Sequence, residues 1–140
     1  MTPDPKSFVA DWQAAWNSYD MPRLMAHFRP DIVYRSPQAE TICGNGEVRG
    51  IQALTAYWCA TLERDPDQEV EVLDVFTGFE TIVIVWRDRG GPPVAESFHF
   101  DENGAIDVAA ACPRTGPIDA RPGIPLGSMA TPQAATRLPA

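Results

Sequence analysis

The run PVAESFHF at residues 93–100 places one carboxyl group among apolar side chains. Its composition predicts a β-strand, and strand side chains alternate between the two faces of a sheet, so Glu96 shares a face with Val94, Phe98 and Phe100. A carboxyl group that faces a core must find a hydrogen-bonding partner, stay protonated or line a cavity. Because desolvation raises the pKa of a glutamate, Glu96 is the first candidate for an acid–base group.

Other side chains could share a cavity with Glu96. Tyr34 and Ser36 lie on the same face of a predicted strand as Ile32, so their hydroxyl groups are expected to point inward and bond either Glu96 or a ligand. The expected ligand contacts are Trp12, Trp16, Tyr34, Ser36, Trp58, Val94 and Phe98. Two plainer interpretations stay open, since aromatic residues on helical stripes often serve only core packing and Glu96 could be a structural carboxylate.

The sequence predicts neither a metal site nor a cofactor. His27 and His99 are not at ligand spacing with a carboxylate, and both are expected near the surface. The cysteines Cys43, Cys59 and Cys112 form no Cys-x-x-Cys pair, so free, mostly buried thiols are expected.

Composition indicates one acidic globular domain. The chain has 140 residues, 44% of them hydrophobic, and a formal net charge of -8 with a pI near 4.6. The negative charge argues against binding to nucleic acid or to an anionic membrane surface. The sequence has no apolar leader and no apolar run long enough to span a bilayer, so a cytoplasmic location is expected.

The order of predicted elements is helices first, then strands. Apolar spacing predicts a first helix from Asp4–Pro5 to Tyr19, a short second one capped by Asp20 and ended by Pro30, and a third over residues 51–62. A strand at 31–36 closes at Pro37 and a polar loop containing Gly44 and Gly46 follows. The later strands are predicted at 69–77, 80–88, 93–100 and 105–112.

This order predicts an α+β domain in which N-terminal helices pack on a curved, mainly antiparallel sheet. The domain is expected to span residues 1–112. Residues 113–140, rich in Pro, Gly and Ala, are expected to form a C-terminal tail that could be pinned in part by its few apolar residues.

Several short motifs in this order resemble the nuclear-transport-factor-2-like superfamily, in particular its SnoaL-like and steroid delta-isomerase-like branches. The motifs are WQAAW at 12–16, YDMP at 19–22, FRPD at 28–31, SP at 36–37, VRGI at 48–51 and FHFDENGAI at 98–106. The resemblance covers residues 5–112. It implies a cone-shaped half-barrel, a homodimer, and an apolar pocket that binds a small apolar molecule.

The resemblance also implies which steroid isomerase residues are missing. The general base of that branch corresponds to Ser36, which cannot abstract a carbon-bound proton unaided, and its oxyanion-stabilising tyrosine corresponds to Trp12. Its second acid corresponds to Glu96. Ketosteroid isomerase activity is therefore not expected.

Two functional hypotheses remain. The first is a cofactor-independent isomerase, cyclase, dehydratase or hydrolase that acts on a small apolar carbonyl, polyketide-like or terpenoid-like compound, with Glu96 as acid or base. Tyr34, Ser36 and an indole N–H would orient an oxygen of the substrate. The second is a non-catalytic ligand-binding or dimeric assembly domain, which the apparent lack of a second carboxylate beside Glu96 slightly favours.

Overall fold

A computed structural model describes residues 1–116 and the backbone of two short strands near the C-terminus. Four helices lie in the first half of the chain: α1 (Pro5–Asn17), α2 (Met21–Met25), α3 (Pro37–Cys43) and α4 (Ile51–Arg64). The eight strands are β1 (Phe28–Arg35), β2 (Glu47–Arg49), β3 (Val70–Gly78), β4 (Thr81–Asp88), β5 (Val94–Phe100), β6 (Ile106–Pro113), β7 (Gln133–Ala134) and β8 (Thr136–Arg137).

Strands β1 to β6 form one open sheet in the order β2-β1-β6-β5-β4-β3. Only the pairing of β1 with β6 is parallel, and the other four pairings are antiparallel. The helices pack against this mixed sheet, which is not closed, so the predicted α+β half-barrel fold is confirmed. Strands β3 to β6 match the predicted meander to within about one residue at each end.

The core lies between the helices and the inner face of the sheet. Each of α1 and α2 begins at an aspartate, Asp4 and Asp20, whose carboxylate accepts a backbone N–H of the first turn. The aromatic stripe of α1 then faces the sheet, where Trp12 is fully buried and packs edge-on against Trp86 and Phe98. This packing fixes α1 across β4 and β5, and β5 is the strand that carries Glu96.

Three details of the predicted helices and first strand are wrong: the end of α1, the end of α2, and the start of β1, which was expected at residue 31. Tyr19 lies beyond the end of α1 with a positive φ of 57°, is exposed, and bonds the backbone of Pro66 and Gln68. Pro30 does not end α2, because β1 already begins at Phe28. Strand β1 tolerates this proline because its register against β6 is interrupted between Phe28 and Val33.

The predicted polar loop after Pro37 contains two regular elements instead. Ser36 caps α3 by accepting the backbone N–H of Gln38, and Pro37 occupies the first helical position. Gly44 ends the helix with a φ of 82°, which favours glycine. Strand β2 then pairs with β1 and forms an edge of the sheet.

The three cysteines fall outside the core. Cys43, Cys59 and Cys112 are all exposed, so the expectation of buried thiols is wrong. Their positions on the outer sides of α3, α4 and β6 explain the exposure. Most of the tail expected over 113–140 lies outside the described residues. No helix in the described part of the chain has the length and apolar character needed to cross a membrane.

Candidate functional site

A cavity of about 170 Å³ lies between the helices and the inner face of the sheet. Its buried wall consists of Trp16, Tyr34, Tyr57, Trp58, Thr61 and Glu96. Half-buried or exposed residues complete the lining: Gln38, Arg64, Asp65, Gln68, Trp86 and Asp88. We call the end formed by Arg64, Asp65, Gln68 and Asp88 the mouth.

The cavity volume limits the ligand. A cavity of about 150 Å³ is large enough for benzene, whereas drug-sized ligands occupy roughly 300–1,000 Å³. The lining mixes aromatic rings with polar groups, so it is less apolar than the pocket expected from the sequence. The cavity as it stands therefore fits a compact compound with one ring or fewer.

Glu96 lies in the wall of this cavity and is 2% exposed. The Trp86 indole N–H donates a hydrogen bond of 2.9 Å to its Oε1, and Tyr34 is a second neighbour that interacts with the carboxyl group. Desolvation raises the pKa of Glu96 to about 7, although the bonds from Trp86 and Tyr34 act in the opposite direction. Near neutral pH the group is therefore present in both its acid and its base form.

Two tyrosines connect Glu96 to the helices. Burial, followed by the charge of Glu96, raises the pKa of Tyr34 well above its usual value, so this hydroxyl stays protonated and can donate. Tyr57 on α4 donates to Gln38 Oε1 at 3.3 Å, and its hydroxyl oxygen lies 3.5 Å from Ser36 Oγ. Burial also raises the pKa of Tyr57.

A pair of carboxyl groups stands at the mouth. The hydrogen bond between Asp65 and Asp88 raises the pKa of Asp65. Burial opposes ionisation of Asp88, but bonds from Asp65 and from the backbone N–H groups of Glu69 and Arg89 hold its pKa below the usual range. The site therefore holds more than one acid, since Asp65 and Asp88 line the same cavity as Glu96 at its mouth.

The structure brings half of the expected site residues together. Glu96, Trp16, Tyr34 and Trp58 all line the cavity. The remaining four lie outside the lining: Trp12, Ser36, Val94 and Phe98.

Each of these four residues has another position in the fold. Trp12 and Phe98 are fully buried in the core, and Val94 packs against its edge. Ser36 caps α3 and reaches the site only through Tyr57.

Sequence reasoning missed Trp86 as the partner of Glu96, although it allowed for an indole donor. The β4–β5 hairpin pairs Ile84 with Glu96 and Trp86 with Val94, so Trp86 is the diagonal neighbour of Glu96 on the same face. The same alternation brings Asp88 to that face. The predicted strands at 80–88 and 93–100 are consistent with this hairpin, but a shift of one residue in their register would change which side chain meets Glu96.

The histidines lie away from the cavity. His99, on the outer face of β5, bonds Asp107 at 2.6 Å, and this bond raises the pKa of His99. His27 is half-buried rather than solvated, because it bonds Asp11 and packs edge-on against Phe8. Within the described residues, no group of three or more His, Cys, Asp or Glu side chains is placed to hold a metal ion.

Comparison with solved structures shows the same fold in other proteins. A SnoaL-like protein of unknown function from Burkholderia thailandensis is 28% identical, has a TM-score of 0.75, and the match covers 79% of this chain and 93% of the other. An NTF2-like protein of unknown function from Burkholderia pseudomallei is 16% identical, with a TM-score of 0.66 and coverage of 81% and 93%.

A third similar structure comes from a candidate polyketide cyclase of Sinorhizobium meliloti. It is 17% identical, with a TM-score of 0.62 and coverage of 75% and 93%. At these low identities the second and third similarities show the fold alone. A comparison with curated proteins found no match. The profile of the SnoaL-like domain family matches residues 9–110, and the chain belongs to this family.

Proposed function

We propose that residues 1–112 form a small-molecule-binding domain in which Glu96 acts as an acid–base group, followed by a tail over 113–140. The observation that carries the proposal is the position of Glu96: a buried carboxyl group, bonded to Trp86, in the wall of a cavity. The reaction class is a cofactor-independent isomerisation, cyclisation, dehydration or hydrolysis of a compact, largely apolar compound.

The chemistry available to Glu96 is proton transfer. With a pKa of about 7, the carboxylate can accept a proton from a bound compound and the acid can return one at a different atom. Tyr34 can donate a hydrogen bond to Glu96 or to a ligand oxygen, because its hydroxyl stays protonated. The Trp86 indole cannot take the oxygen-orienting role expected of an indole, since its N–H is already bonded to Glu96.

The proposal is tested by titrating the protein with neutral, anionic and cationic compounds of up to about one ring while the indole ¹H–¹⁵N NMR signals are followed. Binding in the cavity is expected to shift the Trp86 and Trp58 signals more than that of Trp12, which lies outside the lining. Thr61→Phe, which fills the cavity, should abolish the response. Gln52→Phe, on the exposed side of the same helix, should preserve it.

Catalysis has its own test. Glu96→Gln is expected to leave the fold and the binding of neutral compounds intact while it abolishes turnover of any compound that the wild type converts. Unchanged turnover in this variant would contradict the acid–base role. If no compound of any charge shifts the cavity indole signals, the ligand-binding proposal is wrong.

A second candidate function, a dimeric assembly domain, is favoured by the outer face of the sheet. The register places Phe76, Val83, Ser97 and Ala110 in one row across β3 to β6 on the face away from the helices. Phe76 is 57% exposed, and nearby Val108 is 40% exposed. A second copy of the chain would bury this face, as the family resemblance implies for a homodimer.

A further inference from the structure

We infer that the ligand of the Glu96 cavity is a small organic cation whose charge is spread over an apolar surface, such as a quaternary ammonium group. The inference rests on the proposed function, since it names the chemical class that the same cavity would bind. Three features of the lining carry it: the arrangement of the aromatic rings, the hydrogen-bonding groups that remain available, and the balance of charge.

Trp58 is steeply inclined to both Trp16 and Tyr34, as the adjoining walls of a box are, whereas Tyr34 and Tyr57 are tilted by 40°. Trp16 and Trp58 lie 5.1 Å apart at 67°, and Tyr34 and Trp58 lie 5.4 Å apart at 79°, measured between ring centroids and ring planes. Trp86 and Tyr57 also line the cavity. Parallel rings would form a slot for a flat ligand, whereas steeply inclined rings enclose a rounded group. Boxes of this kind bind quaternary ammonium ions through the negative faces of the rings.

The indole N–H donors of the wall are not available to a ligand. The Trp86 N–H is bonded to Glu96, and the Trp16 N–H is buried without access to the cavity space. The Trp58 side chain interacts with the Tyr34 hydroxyl. The Tyr57 and Thr61 hydroxyl groups already donate to Gln38 and to the Trp58 carbonyl oxygen. A ligand therefore meets ring carbon atoms, hydroxyl oxygens and a carboxyl group in the buried wall, and this environment suits a positive group that donates no strong hydrogen bond.

The charge of the lining is negative. In the described part of the chain, Glu96 has no Lys, Arg or His within ion-pair distance, so its carboxylate is desolvated without a counter-ion. Asp65 and Asp88 add acidic groups at the mouth, where Arg64 lines the cavity and is exposed to solvent and the charge of Arg89 acts on Asp88. A bound cation would supply the missing partner of Glu96, and the net charge of -8 favours its approach.

Cation binding is expected to depend on pH. A cation favours the ionised form of Glu96, so affinity should rise with pH through about 7, by about tenfold between pH 6 and pH 8. The other titratable or charged groups around this carboxyl group and the mouth are Tyr34, Tyr57, Asp65, Asp88 and Arg64, with Asp67 and Arg89 next to the mouth carboxyl groups. Burial raises the pKa values of Tyr34 and Tyr57 above their usual 10.0, so both hydroxyl groups stay protonated in this pH range.

The test compares choline with its neutral isostere, 3,3-dimethylbutan-1-ol, by isothermal titration calorimetry on the full chain. The two compounds have nearly the same shape and differ by one charge. Choline is expected to bind at least about tenfold more tightly than the alcohol, as cation–π attraction in a desolvated site predicts. Glu96→Gln should remove most of this preference and leave the affinity for the alcohol within about threefold. The exposed Glu102→Gln should preserve it.

The outcomes separate the cation inference from the proposed function. Equal affinity for choline and the alcohol overturns the inference and leaves the ligand cavity standing. The same conclusion follows if choline does not bind while neutral compounds still shift the Trp86 signal. If neither choline nor any neutral compound binds, both proposals are overturned. A choline preference that survives in a correctly folded Glu96→Gln variant overturns the assignment of Glu96 as the counter-ion.

Discussion

At the scale of single residues, Glu96 is the group to which we assign both the proposed chemistry of the site and part of the pH dependence of stability. It is buried, and the groups that bond it are neutral. Its alternation with Phe98 and Phe100 was sufficient to predict that it faces inward, because a period of two is a local property of the chain. Its partners were not predictable to the same degree, since they depend on the register between β4 and β5.

Glu96→Gln is expected to stabilise the protein at neutral and alkaline pH. The pKa of Glu96 is raised from 4.5 to about 7 on folding, so the wild type loses stability as pH rises from about 4.5 to 7 and then stays level. The loss amounts to about 3 kcal/mol for a shift of this size. Glutamine does not titrate, so this part of the pH dependence should be absent from the variant.

Urea denaturation from pH 4 to 8 checks this expectation through the difference in unfolding free energy between the two proteins. Taking the difference cancels the titration of the other acids, including Asp4 and Asp11, whose hydrogen bonds lower their pKa values. A difference that does not change with pH would show that Glu96 titrates normally.

Trp86→Phe is expected to raise the pKa of Glu96 further, because it removes the indole bond that supports the carboxylate. A hydrogen bond to a charged group contributes about 1.5–3 kcal/mol, so an increase of about one unit or more is expected. Trp16→Phe is the matched control, since the Trp16 indole N–H has no partner among the described residues. The pKa is read from the carboxyl ¹³C NMR signal. An equal shift in both variants would contradict a specific role for Trp86.

At the scale of elements, the least predictable part of the fold is the segment between β1 and α4. The long elements could be predicted because their apolar residues recur over several turns or along a whole strand, as in α1, α4 and β4. Helix α3 spans only Pro37–Cys43 and buries one residue, Ala39. Its sequence therefore contains almost no repeating pattern of apolar residues from which a helix could be predicted. Its Ser–Pro start was the available signal, and it was interpreted as the end of a strand.

Ser36→Ala tests the role of Ser36 as a helix cap. Loss of the bond from the Gln38 backbone N–H should cost about 1 kcal/mol of unfolding free energy. Ser36→Thr should retain most of the stability, because threonine also accepts this bond. Both variants should leave ligand affinity within about threefold, since Ser36 does not line the cavity. A large loss of affinity without loss of stability would instead support a direct site role for Ser36.

At the scale of the whole molecule, the sheet separates an inner side, which holds the candidate site, from an outer side. The inner face carries Glu96 and Trp86 and is covered by helices, whereas the outer face of β3 to β6 leaves Phe76 and Val108 exposed. The fold class followed from the order of elements, but the size of the cavity did not. Cavity volume depends on how the side chains of separate elements meet, and a single chain sequence does not specify that packing.

Phe76→Glu is expected to weaken self-association through the outer face. A dimer of the 15.3 kDa chain should dissociate, because the substitution places a charge in the buried interface. Sedimentation velocity over a range of concentrations measures the change. Ala53→Glu, at an exposed position of α4, is the control that adds the same charge away from the sheet. A wild-type protein that stays monomeric at high concentration would contradict the dimer proposal.

The most direct test of Glu96 as a desolvated acid in a ligand cavity is the pH titration of its carboxyl ¹³C signal in the wild-type protein, with and without saturating choline. We expect an apparent pKa of about 7 in the free protein, and a lower value with choline because the cation stabilises the carboxylate. A pKa near 4.5 that choline does not change would contradict both the desolvated acid and its place in a ligand cavity.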